Sequence, residues 1–420
     1  MLLHTPAFFI ASMVCILGGA LLLRLKNKQV LPEGMLQPFS GKHGALSRYR
    51  DGFTGLRSVR GLWLLILFLV FFSIGMKLLF TIDEGYRFYS LYNLNRSIAT
   101  VLSPDHISND MVGQSLRHLG GIIHSAVLTQ SMGVLSVPVN FLLSRLLFLL
   151  SASLYPFALI IKPLGKRILP NLPNRRFFAR ILRIQCIAIA TLLLFAIYVD
   201  SGIKIPGFGL ILMALEVVGS AIAAAALLSV VQGVFIRHLQ SRANDSRQTF
   251  RASVHQALQL SPGLFRINIG ILSATIASAV IFRILRSYEL FYTQPGAALF
   301  RTGRILQDVL LAANILLYFI APGLIISCAL NSGSAKDACR SFGSFLLRNM
   351  RRYFTLFAAG FAAILLLRIG QMALFQALYQ YPLPKAASLF VSGFLEVTIS
   401  LAFWIAAFIF LRADPKLQRP

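Results

Sequence analysis

Residues 386–411 read AASLFVSGFLEVTISLAFWIAAFIFL, a run whose one charged side chain is Glu396. A helix needs about 20 mostly apolar residues to cross a bilayer with a hydrocarbon core about 30 Å thick. This run is long enough. Its apolar residues are continuous and do not alternate, which excludes a half-buried strand. It reads as a membrane-spanning helix, and it sets the pattern for the rest of the chain.

Working outward, residues 353–378 form a second such run, turned back by Tyr381-Pro382-Leu383-Pro384. Further runs lie at 307–330, 267–285, 207–236, 184–200, 137–161, 61–82 and 7–25, which makes nine expected spans in one membrane domain, 1–420. The run at 207–236 is the longest, and Gly120-Gly121 blurs the start of the one at 137–161. The first run does not read as a cleaved signal. No Lys or Arg precedes it, whereas Arg24, Lys26 and Lys28 follow it. Composition agrees with this reading. The 420 residues are 57% apolar and 13% charged, against about 45–50% and about 25% in ordinary globular domains. Mean hydropathy is +0.73. These values exclude a soluble enzyme, a disordered tail and a small disulfide scaffold.

Forty Lys and Arg against fourteen Asp and Glu give a net charge of +26. Alternate loops divide the bases unequally. Segments 24–60, 162–183, 237–266, 331–352 and 412–420 hold 28, and the intervening segments hold 9. Basic loops stay in the cytoplasm. The expected threading is therefore N-terminus outside, C-terminus inside, in the cell membrane, most simply a bacterial cytoplasmic membrane. The basic excess is accounted for by threading and implies no nucleic acid. Its expected partner is the bilayer itself, with anionic inner-leaflet lipids; the sequence names no protein partner. Cys15, Cys186, Cys328 and Cys339 have neither metal nor redox spacing.

The longest outer segment, 83–132, is expected to form short amphipathic helices. Leu91, Leu94, Ile98 and Leu102 recur at helical spacing. Inside, Phe250, Val254, Ala257 and Leu258 form an apolar stripe beside Arg242, Arg247 and Arg251, as expected of a helix on the inner leaflet. Three basic–aromatic arms enter spans: Arg175-Arg176-Phe177-Phe178, Leu264-Phe265-Arg266 and Arg351-Arg352-Tyr353-Phe354. Their spacing of roughly 85–90 residues hints at an internal repeat, of a kind common in transporters.

No P-loop, H-E-x-x-H, G-x-S-x-G or Cys/His grouping occurs, so no cofactor or metal is expected. The chemistry lies in charges within spans, which are costly in lipid and mark a protein interior, a partner or water. Arg145, Glu216, Arg368 and Glu396 all fall near mid-span. Arg368 precedes the outer end of its span, and Glu396 follows the outer start of the next, by equal distances. Both are then about 15 Å deep. The four residues are either a polar layer lining a path or structural ion pairs between helices. Asn314, Gln371 and Thr398 extend either arrangement. Pro322-Gly323, inside the span 307–330, is expected to kink or break it as a candidate hinge. The run Gly219–Ala226 permits close helix approach.

Asp83-Glu84-Gly85-Tyr86 opens the outer segment, with Arg145 following in Leu143-Ser144-Arg145-Leu146-Leu147. This resembles the Asp/Glu motif at the start of the first outer loop of integral-membrane glycosyltransferases that use polyprenyl-phosphate sugars. The resemblance implies that Asp83 or Glu84 is a general base for an acceptor hydroxyl. His106, His118 and His124 share the segment without metal-site spacing.

The sequence thus predicts an all-α polytopic membrane bundle. A transporter or translocase of a small solute, ion or lipid is the leading expectation, and a non-enzyme the more natural class. The alternatives are the outward-facing glycosyltransferase and a non-catalytic subunit of a membrane assembly.

Overall fold

The computed structural model describes residues 45–82, 123, 126–133, 135, 173–200, 208–244, 250–291, 298–331, 333–377, 382–414 and 417. Among the described residues every regular element is helical. Helix α1 (Ala45–Gly55) leads through a tight turn, Leu56–Val59, into α2 (Arg60–Ile82). A single π-turn covers Thr129–Gly133. Then come α3 (Arg175–Asp200), α4 (Phe208–Ala243), α5 (Phe250–Phe291), α6 (Ala298–Leu330), α7 (Ala335–Ala377) and α8 (Pro382–Arg412). The expected spans at 61–82, 184–200, 207–236, 267–285, 307–330, 353–378 and 386–411 each fall on one of these helices. Those at 7–25 and 137–161 lie outside the described residues. Among the described residues, five helices are long and apolar enough to cross a membrane, or six if the bent pair α1–α2 counts as one span.

Helices α3 to α8 all outrun their expected spans, and α4, α5 and α7 are the longest. α4, α5 and α7 have 36, 42 and 43 residues. At 1.5 Å per residue these are about 54, 63 and 65 Å long. Segments 237–266 and 331–352, expected as inner loops, are therefore largely helical where described. Mean hydropathy drops where arginines begin, yet one face stays apolar: Leu239, Ala257, Leu260 and Leu264 are buried, as are Ala338, Phe342 and Phe345. The stripe around Ala257 does not form a helix of its own. It continues α5, and Ala257 packs against Gly233 of α4. α7 bends at Asn349, whose φ of −123° and ψ of 19° leave the helical region.

α8 is the hub. Every residue from Ser400 to Leu411 is buried, as expected for a helix apolar on all sides. α7 runs antiparallel to it, with Phe357 against Phe403 and Phe345 against Phe410 at ring distances of 5.3 and 5.1 Å. α2 covers another side through Trp63–Phe394 and Phe71–Phe390 contacts. α1 meets α2 at 86° and crosses α8 where Gly52 sits on the Ala402 carbonyl and the Ala406 side chain. No side chain larger than hydrogen fits there.

The basic ends of the helices converge. Arg412 donates to Asn244, Arg348 pairs with Asp414 at 3.3 Å, and Gly263 of α5 abuts Gly333 in the α6–α7 turn. Gly333 has φ of +86°, a conformation that favours glycine. In the same turn Asn331 donates to Ser341 at 2.7 Å.

Candidate functional site

The structure brings Arg368 of α7 and Glu396 of α8 into contact. Arg368 Nε donates to Glu396 Oε1 at 2.8 Å, and Nη2 reaches Oε2 at 3.4 Å. The same Nη2 donates to Thr129 Oγ1 at 2.6 Å. Both charged side chains are 21% exposed, so the pair is screened from its surroundings without being sealed. Arg145, Asp83 and Glu84 lie outside the described residues, as do the histidines at 106, 118 and 124. Of Glu216 only its carrier, α4, is described.

Thr129 is a residue that sequence reading left in the outer segment. The structure puts Thr129–Gly133 inside the bundle, against α6, α7 and α8. Gln130 and Ser131 are fully buried. Gln130 Nε2 donates to the Phe357 carbonyl at 2.9 Å, while its Oε1 has no hydrogen-bond partner among the described residues. A Cβ placed on Gly360 would stand 2.7 Å from Tyr49 Oη and 2.9 Å from Gln130 Nε2. Glycine on α7 therefore makes the gap into which both polar tips fit. Tyr49 donates onward to the Ile399 carbonyl at 2.8 Å, and Trp63 Nε1 donates to Thr398 at 3.3 Å. Polar groups from α1, α2, the π-turn, α7 and α8 thus form one seam through the bundle. The signal in the sequence was Thr129-Gln130-Ser131, three polar residues embedded in an apolar stretch.

A second polar group joins α4 and α5. Asn268 donates to Ser229 Oγ at 2.9 Å and to Gln232 Oε1 at 2.7 Å. All three residues are buried. Ser229 and Gln232 are one turn apart, so they face the same neighbour. This group contains no charge and acts as a clasp between two helices.

The candidate hinge does not break α6, which continues through Pro322 and Gly323. Gly323 leaves room for the Phe342 ring. Proline cannot donate to the carbonyl four residues back. Beside that position, buried Tyr353 donates to the Phe319 carbonyl at 3.2 Å, and Phe319 packs edge-on against Tyr353 and Phe357. The irregularity is held by α7.

No protein family, curated protein or solved structure matches the chain. The fold itself defines the class: an all-α, multi-pass membrane protein with a charged pair inside its helix bundle.

Proposed function

We propose that this protein moves a small solute, ion or lipid across the membrane, with Arg368, Glu396 and Thr129 lining the path. The observation that carries this reading is a partly exposed ion pair within apolar helices, adjoined by a buried polar seam. A guanidinium held beside a carboxylate offers donors to an anion and an acceptor to a cation or proton. Lipid alone does not repay such charges. The threading proposed with it has nine crossings, N-terminus outside and C-terminus in the cytoplasm of a bacterial cell. Arg145 and Glu216 complete the proposed polar layer.

The competing reading makes the same contacts structural, as in a non-catalytic subunit of an assembly. Neutralising the pair separates the two. Breaking a buried pair costs about 3–5 kcal/mol in soluble proteins, and less in membranes where water and snorkelling help. Glu396→Gln and Arg368→Met should each lower folded abundance, and the double variant should recover it. In cells lacking the native chain, a path predicts that the recovered double variant fails to complement. Full complementation by it favours the structural reading. If the single losses simply add, the residues are uncoupled and the path is wrong at this position.

A further inference from the structure

The basic–aromatic arms of α3 and α5 meet in the structure. Phe177 lies edge-on to Phe265 at 5.2 Å and to Phe178 at 5.1 Å. Around these rings Arg175, Arg176, Arg180, Arg183 and Arg266 are all exposed. None of the five has an acidic partner among the described residues. The whole segment 162–183 holds seven Lys and Arg and no acid.

Arg176, Arg180 and Arg183 are spaced four and three apart, which places them on one face of α3. They cover about 10 Å of helix axis. The exposed face then changes character. Ile187 is 61% exposed and Leu194 is 51% exposed, and these positions continue the same row. One helix face thus carries cations for roughly the depth of a headgroup layer and then offers aliphatic side chains to acyl chains. The rings of Phe177, Phe178 and Phe265 stand at the start of the cationic row, beside Arg176 and about 10 Å along the helix before the change.

We propose that the α3–α5 corner binds an anionic phospholipid, with its phosphate among Arg176, Arg180, Arg183 and Arg266 and its acyl chains along Ile187 and Leu194. Two features of the surface select this occupant. Five exposed cations without an acidic partner among the described residues call for an anion. The continuous apolar row beneath them suits a headgroup with its own hydrocarbon, which neither a free phosphate nor a nucleic acid supplies. The site is independent of the Arg368–Glu396 pair.

Native mass spectrometry of the purified full chain in a neutral detergent tests this, with phosphatidylglycerol and phosphatidylcholine as probes. The native chain should retain phosphatidylglycerol adducts in preference to phosphatidylcholine. Each arginine removed should weaken that binding roughly fivefold, so Arg183→Gln is read alone as well as in the triple variant R176Q/R180Q/R183Q. The equally exposed pair Arg340→Gln and Arg351→Gln on α7 serves as the control for charge in general and should leave the preference intact. Ile187→Asn should weaken lipid binding, whereas competition by inorganic phosphate should not displace the lipid. Equal binding of the two lipids, an unchanged triple variant, an equal loss in the control, or displacement by phosphate would each overturn the proposal.

Discussion

Asn174 supplies α5 with the hydrogen bond that Pro262 removes. Pro262 has no N–H, so the Leu258 carbonyl, four residues earlier, loses its helical donor. The Asn174 side-chain amide donates to that carbonyl at 3.0 Å, and to the Gln259 carbonyl at 3.0 Å. Asn174 itself holds φ of 59°, a left-handed conformation that asparagine tolerates better than most residues. Its own carbonyl accepts from Phe177 N at 2.8 Å at the start of α3. One residue thereby starts α3 and repairs α5.

This relation predicts coupling. Asn174→Ala should destabilise the protein by about 1–2 kcal/mol, the usual net worth of one or two hydrogen bonds. In a Pro262→Ala background the Leu258 carbonyl regains a helical donor, and the same substitution should cost less. Thermal melts in detergent, arranged as a double-mutant cycle, check this. Equal losses in both backgrounds would mean that Asn174 stabilises only its own helix start.

Glycines on α5 give a paired test of packing. A Cβ on Gly263 would drive into the Gly333 carbonyl, which is backbone and cannot step aside, whereas a Cβ on Gly270 meets nothing within 4 Å. Gly263→Ala should lower stability by about 1–3 kcal/mol, the range for overpacking. Gly270→Ala should be neutral or gain up to about 1 kcal/mol from helix propensity. The melting temperatures of the two variants decide whether α5 seats on the α6–α7 turn as described.

Threading is tested through cysteines. Cys339 is exposed and Cys328 is buried. The proposed orientation puts Cys339 on the cytoplasmic side. An impermeant thiol reagent should therefore label it only in inverted vesicles, and Cys328 should resist in either preparation. Labelling of Cys339 from outside intact cells would contradict the proposed orientation.

Much of the helix inventory was legible because a bilayer demands long apolar runs, and 386–411 is such a run. The level shared by Arg368 and Glu396 was legible too, since equal counts from a short turn imply equal depth. What the sequence concealed follows from the limits of hydropathy. Window averages fall at the arginines after Ile236, yet α4 continues to Ala243 because Leu239 stays buried on one face. The inward course of Thr129–Gly133 was hidden because polar residues and glycine read as loop wherever their partners are unseen. Thr129 finds Arg368, and Gln130 finds the Phe357 carbonyl, both far away in sequence. The Asn268 clasp was obscured for the same reason: a single amide in a span gives no sign of which helix answers it.

Water access at the Arg368–Glu396 pair is the most direct test of the proposed path. In a chain whose native cysteines are replaced, Thr129→Cys and Glu396→Cys are treated singly with a small water-soluble thiol reagent. Val397→Cys, at a position 3% exposed and adjacent on α8, is the internal control. A path lined by the pair predicts that the cysteines at 129 and 396 react while the one at 397 stays protected. Protection of all three in a folded, stable chain would contradict a path and leave Arg368 and Glu396 as a structural bond between two helices.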